Sequence, residues 1–160
     1  CNGINVADLI NLKFSDIQNW EISFIREKTK DRTRDTKRIY APITPEMQSI
    51  IEKWGNNPRK SIYIFPFMKA GDDAWEHEKK KKNLTKHIND RMKVIGEKLN
   101  IGKITTYVAR HTYATVLRNE GVPVSIISPM LGHTSITTTE IYLADLESEN
   151  RARNASLLSF

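Results

Sequence analysis

The chain has 160 residues, 39% hydrophobic and 28% charged, which is enough for one domain with its own core; no apolar run approaches the roughly 20 residues of a membrane-spanning helix. The single cysteine, Cys1, excludes an internal disulfide and fits a reducing compartment. Lysine and arginine outnumber aspartate and glutamate by 25 to 19, and this net charge of +6 favours a polyanionic partner, of which nucleic acid is the commonest.

Val6 to Leu12 reads as a short helix. From Ile17 to Arg26 a period of two predicts a strand with Trp20, Ile22, Phe24 and Arg26 on one face. After the polar stretch Lys28 to Lys37, the alternation of Ile39, Ala41 and Ile43 predicts a return strand ended by Pro42 and Pro45, so the pair forms a small antiparallel sheet with a basic turn. Pro45-Glu46 opens a helix carrying Met47, Ile50, Ile51 and Trp54, closed near Gly55. Ser61 to Phe65 reads as a short strand or buried segment. Asn83 to Asn100 predicts the clearest helix, with Leu84, Ile88, Met92, Ile95 and Leu99 on one side and Gly102 as its cap. A further helix runs from about Thr106 to Glu120 and stops at Gly121. Val124 to Leu131 is short, with Pro129 in its last turn. Ser135 caps a helix containing Ile136, Tyr142 and Leu146, and the tail to Phe160 suits one more. The fold class is α+β, mostly α, with the sheet near the N-terminus.

Gly-rich phosphate loops, Gly-x-Ser-x-Gly and His-Glu-x-x-His are absent from the sequence. His77-Glu78 is followed by Lys79 to Lys82 rather than by a second ligand, so this stretch reads as a solvated charged loop or a helix start. His87 reads as a surface or packing residue. No metal or other cofactor is expected.

The chemistry-bearing region is Thr105 to Leu143. It contains Thr-Tyr-Val-Ala-Arg-His at 106–111 and Leu-Gly-His at 131–133, and then Tyr142 nine positions after His133. Taken singly, Arg110 reads as a surface helix cation, His133 as a loop residue after a Gly cap, and Tyr142 as a core aromatic. Jointly they resemble the second half of the tyrosine recombinase signature, usually His-x-x-Arg-His, Leu-Gly-His and Tyr, with Tyr107 in the first His place. Gly3 to Leu12 resembles the family's Gly-x-Arg-x-x-Glu-Leu-x-x-Leu helix. Glu27-Lys28-Thr29-Lys30 with Ile39 to Ile43 resembles the strand pair that carries its lysine. The resemblance spans residues 1 to about 146.

It implies a catalytic domain over residues 1–160 that cleaves and rejoins DNA through a 3′-phosphotyrosine. Tyr142 is then the nucleophile, Arg110 the phosphate-binding cation, His133 a hydrogen-bond or proton partner, and Lys28 the acid for the leaving 5′-oxygen. Tyr107 and His111 belong to the same element as Arg110. The family's first arginine falls at Asn5, which is neutral, as in some mobile-element integrases. Arg26, two residues before Lys28 and on the same strand face, is the candidate replacement cation. Lys30, Arg32 and Arg34, with Asn5, are expected to contact substrate DNA.

Further expectations are a double-stranded DNA partner, a homotetramer whose Leu146 to Phe160 segment contacts a neighbour, an upstream DNA-binding domain, and a cytoplasmic, nucleoid-associated bacterial protein. Two other readings stay open. Asn5 suits a catalytically degenerate DNA-binding module of the same fold, and a type IB topoisomerase shares the chemistry. A metal-dependent nuclease is disfavoured because no ligand cluster has the spacing.

Overall fold

Three apolar clusters organise the chain, and the candidate site lies where the elements that carry them meet. The computed structural model describes residues 1–28, 37–141 and 143–144. In chain order it contains α1 (Val6–Leu9), a 3₁₀ turn (Phe14–Asp16), β1 (Ile17–Gln18), β2 (Glu21–Ile25) and β3 (Arg38–Pro42). There follow α2 (Pro45–Trp54), α3 (Ala74–Lys98), α4 (Thr106–Asn119) and α5 (Val124–Met130). Residues 136–141 and 143–144 are also helical and form α6. Among the described residues no helix is long and apolar enough to cross a membrane.

The strands form one antiparallel sheet in the order β1-β2-β3. Ile22 faces Ala41 and Phe24 faces Ile39, so the inward residues of β2 and β3 stack on one side. Ile22, Phe24 and Ile39 build the first cluster with Leu12 and Ile64, and Met47 and Ile51 of α2 pack against it. Burying each such side chain contributes about 1.5–3 kcal/mol. The expected single strand from Ile17 to Arg26 is two strands instead. Asn19 and Trp20 both take positive φ, 50° and 61°, and fold the chain back as a two-residue hairpin loop. Trp20 therefore leaves the inward face and is exposed, while the Trp20 carbonyl accepts the Ile43 N–H at 2.8 Å.

The helix expected from Asn83 begins at Ala74. Asp73 accepts the Glu76 N–H at 2.7 Å and Glu76 accepts the Asp73 N–H at 3.3 Å, a reciprocal capping box. The run Glu78 to Lys82 has no apolar period, and its helical state is supported by that cap and by the pairing of Glu78 with Lys81 and Lys82. Leu84 and Ile88 pack against Val6, Ile10 and Met68, the second cluster. Ile95 and Leu99, expected on the buried side, are exposed.

α3 closes at Asn100, φ 52°, rather than at Gly102. Asn100 N–H bonds the Glu97 carbonyl and Ile101 N–H bonds the Gly96 carbonyl, the two bonds of a Schellman end. The third cluster joins Ala114 of α4, Ile127 and Leu131 at α5, and Leu143 of α6.

The chain folds back on itself at Gly96, where a Cβ would stand 2.1 Å from the Gly102 carbonyl oxygen. Gly→Ala inside a helix normally gains up to about 1 kcal/mol. At this position overpacking against backbone, about 1–3 kcal/mol, outweighs that gain. Gly96→Ala is expected to lower the urea unfolding midpoint. An unchanged or raised midpoint would show that the α3–α4 turn is not close-packed.

Candidate DNA-cleavage site

Five segments converge on a cleft of about 540 Å³ lined by Asn5, Ala7, Asp8, Arg26, Lys28, Tyr107, Arg110, Gly132, His133, Thr134 and Thr138. α1 and its N-cap contribute Asn5 and Asp8, the end of β2 leads to Arg26 and Lys28, and α4 carries Tyr107 and Arg110. The Leu131-Gly132-His133 corner and α6 supply the rest. Residues expected from the sequence to act together, Arg26, Lys28, Tyr107, Arg110 and His133, thus line one cavity with Asn5.

The Leu-Gly-His corner is the C-terminal end of α5. Gly132, φ 64°, donates its N–H to the Pro129 carbonyl, and His133 donates its N–H to the Ser128 carbonyl. A Cβ on Gly132 would stand 2.5 Å from both Arg26 Cδ and Ile39 Cδ1. Only glycine lets this corner settle on the end of the sheet, and the corner then serves both arginines. Arg26 Nη1 donates to the Gly132 carbonyl at 3.2 Å. Arg110 Nη2 donates to the Leu131 carbonyl, one of the acceptors that a helix end leaves over. Arg110 Nη1 donates to the Gly3 carbonyl at 3.0 Å.

Arg110 is 4% exposed, so it is a buried cation and not a surface one. Asp8, 5% exposed, lies in the same cluster. It accepts the Glu27 N–H at 2.7 Å and stands 4.0 Å from Arg26 Nε. Burial pushes the Asp8 carboxyl above its ordinary range, opposed by the Glu27 N–H and by the charges of Arg26 and Arg110.

His133 Nε2 lies 3.3 Å from Arg110 Nη2, and Nδ1 lies 2.8 Å from Thr139 Oγ1. A guanidinium only donates, so Nε2 accepts and Nδ1 carries the proton that it gives to Thr139. Burial, and then the charges of Arg110, Arg26 and Lys28, lower the ring's pKa from 6.5 to about 4. His133 is accordingly neutral at neutral pH.

His111 does not line the cleft. It stands behind Tyr107 in an edge-on contact, ring centroids 4.2 Å apart at 79°. Tyr142, Lys30, Arg32 and Arg34 lie outside the described residues. Sequence reasoning missed Asp8 and Thr139. Asp8 had a signal, because it holds the acidic place of the Gly3 to Leu12 element. Thr139 had none, being one of three consecutive threonines. Among the described residues no three His, Cys, Asp or Glu side chains are grouped to hold a metal ion.

A folded-state pKa of about 4 against 6.5 means that the unfolded chain binds more protons between those values. The stability that the neutral ring contributes is therefore complete above about pH 6.5 and is lost as pH falls toward about 4. Urea unfolding across that window is expected to show a shallower decline in His133→Gln than in the wild type. Identical declines would mean that His133 is not held neutral.

The phage integrase family matches residues 2–149. The chain is 31% identical over 142 residues to tyrosine recombinase XerA of Pyrococcus furiosus, covering 88% of this chain and 45% of that one. It superposes on the crystal structure of XerA recombinase with a TM-score of 0.60 at 24% identity, covering 94% of this chain and 54% of the other. It also superposes on the Tn1549 transposon integrase in complex with a circular intermediate DNA, with a TM-score of 0.57 at 18% identity, covering 88% and 50% of the two chains. The chain spans about half the length of the curated relatives it matches. Its mostly helical domain with a small antiparallel sheet is the fold of these catalytic regions, and the chain belongs to the phage integrase family.

Proposed function

We propose that this chain is the catalytic part of a site-specific DNA recombinase that integrates or excises a mobile element, working through a 3′-phosphotyrosine at Tyr142. The observation that carries the reading is the gathering of Arg110, Arg26, Lys28 and a neutral His133 around one cleft. That set suits a phosphodiester, whose non-bridging oxygens gain charge during in-line attack.

In this reading the Tyr142 oxygen bonds to phosphorus as the 5′-oxygen leaves, and Lys28 gives that oxygen its proton. A phenol of pKa about 10 needs a proton acceptor, and the unprotonated Nε2 of His133 is suited to that task. An incoming phosphate offsets the cations that suppress protonation of the ring. The imidazolium so formed then donates to a phosphoryl oxygen. Attack by the free 5′-hydroxyl on the phosphotyrosine restores the diester, so rejoining needs no ATP.

Arg26 is proposed to supply the second guanidinium in place of Asn5. Its place in the cleft, its bond to Gly132 and its pairing with Asp8 support this. Tyr107 is assigned to orienting the substrate by its hydroxyl, and His111 acts only through Tyr107. Lys30, Arg32 and Arg34 contact the phosphate backbone. The assembly is proposed as a homotetramer on double-stranded DNA with the segment 146–160 reaching a neighbour, in the bacterial cytoplasm. Asn5 alone favours a second reading, a DNA-binding module without activity, which forms no covalent adduct.

A nicked suicide duplex carrying the element's crossover site separates the two readings. The wild type is expected to form a covalent protein–DNA complex, and Tyr142→Phe to bind DNA without forming one. Arg110→Ala is expected to slow single-turnover cleavage by about 10²–10³, the usual loss of a transition-state charge donor. Absence of an adduct in the wild type on its own site would leave the binding module standing.

The arginine exchange has its own test. Arg26→Ala is expected to be severely slowed, and Asn5→Arg in that background to recover part of the loss. Full activity of Arg26→Ala would remove Arg26 from the reaction.

A further inference from the structure

Thr139 is fully buried, at 0% exposure, and its hydroxyl oxygen is 2.8 Å from His133 Nδ1. Leu143, four residues on and 2% exposed, belongs to the cluster with Ala114, Ile127 and Leu131. The two residues share one face of α6, and that face is the buried one. Thr138, the preceding residue, lines the cleft. The helix therefore has a fixed rotation, with a core face and a cleft face side by side. A hydroxyl on the core face is costly to bury without a partner, and a valine of the same shape would fill the space without one. The partner is the ring nitrogen of a residue on the cleft wall.

We propose that Thr139 is a positioning residue that works through His133. Its hydroxyl accepts the Nδ1–H, holds the imidazole with unprotonated Nε2 turned to the cleft, and ties α6 to that ring. Two bonds set the ring: Arg110 at Nε2 and Thr139 at Nδ1. The Arg110 contact is one that a substrate phosphate competes for, since an anion is a stronger acceptor for a guanidinium than a neutral imidazole nitrogen. The Thr139 contact faces away from the cleft and persists. It also stabilises the imidazolium, because a charged N–H donates more strongly than a neutral one. Thr139 thus keeps Nε2 aimed at the reacting phosphate in both protonation states. This catalytic consequence rests on the recombinase reading, whereas the ring geometry in the free protein does not.

The experiment has two arms. In the free protein, ¹⁵N NMR of the histidine rings is expected to show His133 neutral, protonated at Nδ1, with a protected Nδ1 proton. In Thr139→Val that protection is lost, and in Thr139→Ser it is retained. A wild-type ring protonated at Nε2, or a proton equally protected in Thr139→Val, overturns the proposal whether or not the protein cleaves DNA. In single-turnover cleavage of the nicked duplex, Thr139→Val is expected to be slower by roughly 10- to 100-fold, the scale of one hydrogen bond to a charged group. Thr139→Ser should recover most of that, with DNA binding and thermal midpoint near the wild type.

The decisive comparison is the double variant. Thr139→Val with His133→Ala should be no slower than His133→Ala alone. Rates that multiply would mean that Thr139 is merely structural, and an unchanged rate in Thr139→Val would overturn the positioning role.

Discussion

The rest of the site depends on how one buried guanidinium is held. Arg110 carries a charge into a position almost closed to water, where an uncompensated cation is prohibitive. Its partners include two backbone carbonyls, Gly3 at the start of the chain and Leu131 at the end of α5. A carbonyl cannot be protonated away or rotated out, so the guanidinium plane is set by the fold itself. The same two bonds fasten the N-terminal segment and the α5 corner to α4. Placing the cation and assembling the cleft are therefore one event.

A second constraint follows from the first. Cations brought together without matching anions repel each other, and the cleft lowers this cost in three ways. Carbonyl dipoles face both arginines, Asp8 sits behind them, and His133 stays neutral. The depressed His133 pKa follows from the ring's place in this cleft. Burial is its largest cause, and Arg110, Arg26 and Lys28 follow.

Much of this was legible in the sequence, for physical reasons. Period-two alternation gave β2 and β3, and Pro45-Glu46 marked α2. The joint spacing of Arg110 and His133 pointed to one site. The parts that were not legible depend on contacts that periodicity does not encode. Asn19-Trp20 turns the chain in mid-strand, with a bulky residue in a left-handed conformation where the Trp20 carbonyl is used by Ile43. The first turns of α3 carry an exposed Trp75 and then a charged run with no apolar period, and the Asp73–Glu76 box announces them. Ile95 and Leu99 carry the periodicity of a buried face yet lie beyond the reach of the core. Burial of Arg110, Asp8 and Thr139 cannot be read from residue type, since each belongs to a class usually found at the surface.

Asn5 is neutral where the family pattern carries an arginine. By sequence position the cleft lacks an arginine. Arg26, just past the end of β2, lines the same cleft and donates to the Gly132 carbonyl, and a side chain at position 132 would crowd it. The small residue at position 132 and the long cation at position 26 occupy complementary volumes. Asp8 reaches from α1 to the segment after β2, where it holds the Glu27 N–H and stands near the Arg26 guanidinium. An arginine at position 5 would bring a further cation to a cleft already lined by Arg26, Lys28 and Arg110, with Asp8 as the carboxyl in its lining. A neutral amide at position 5 adds no further charge to that set.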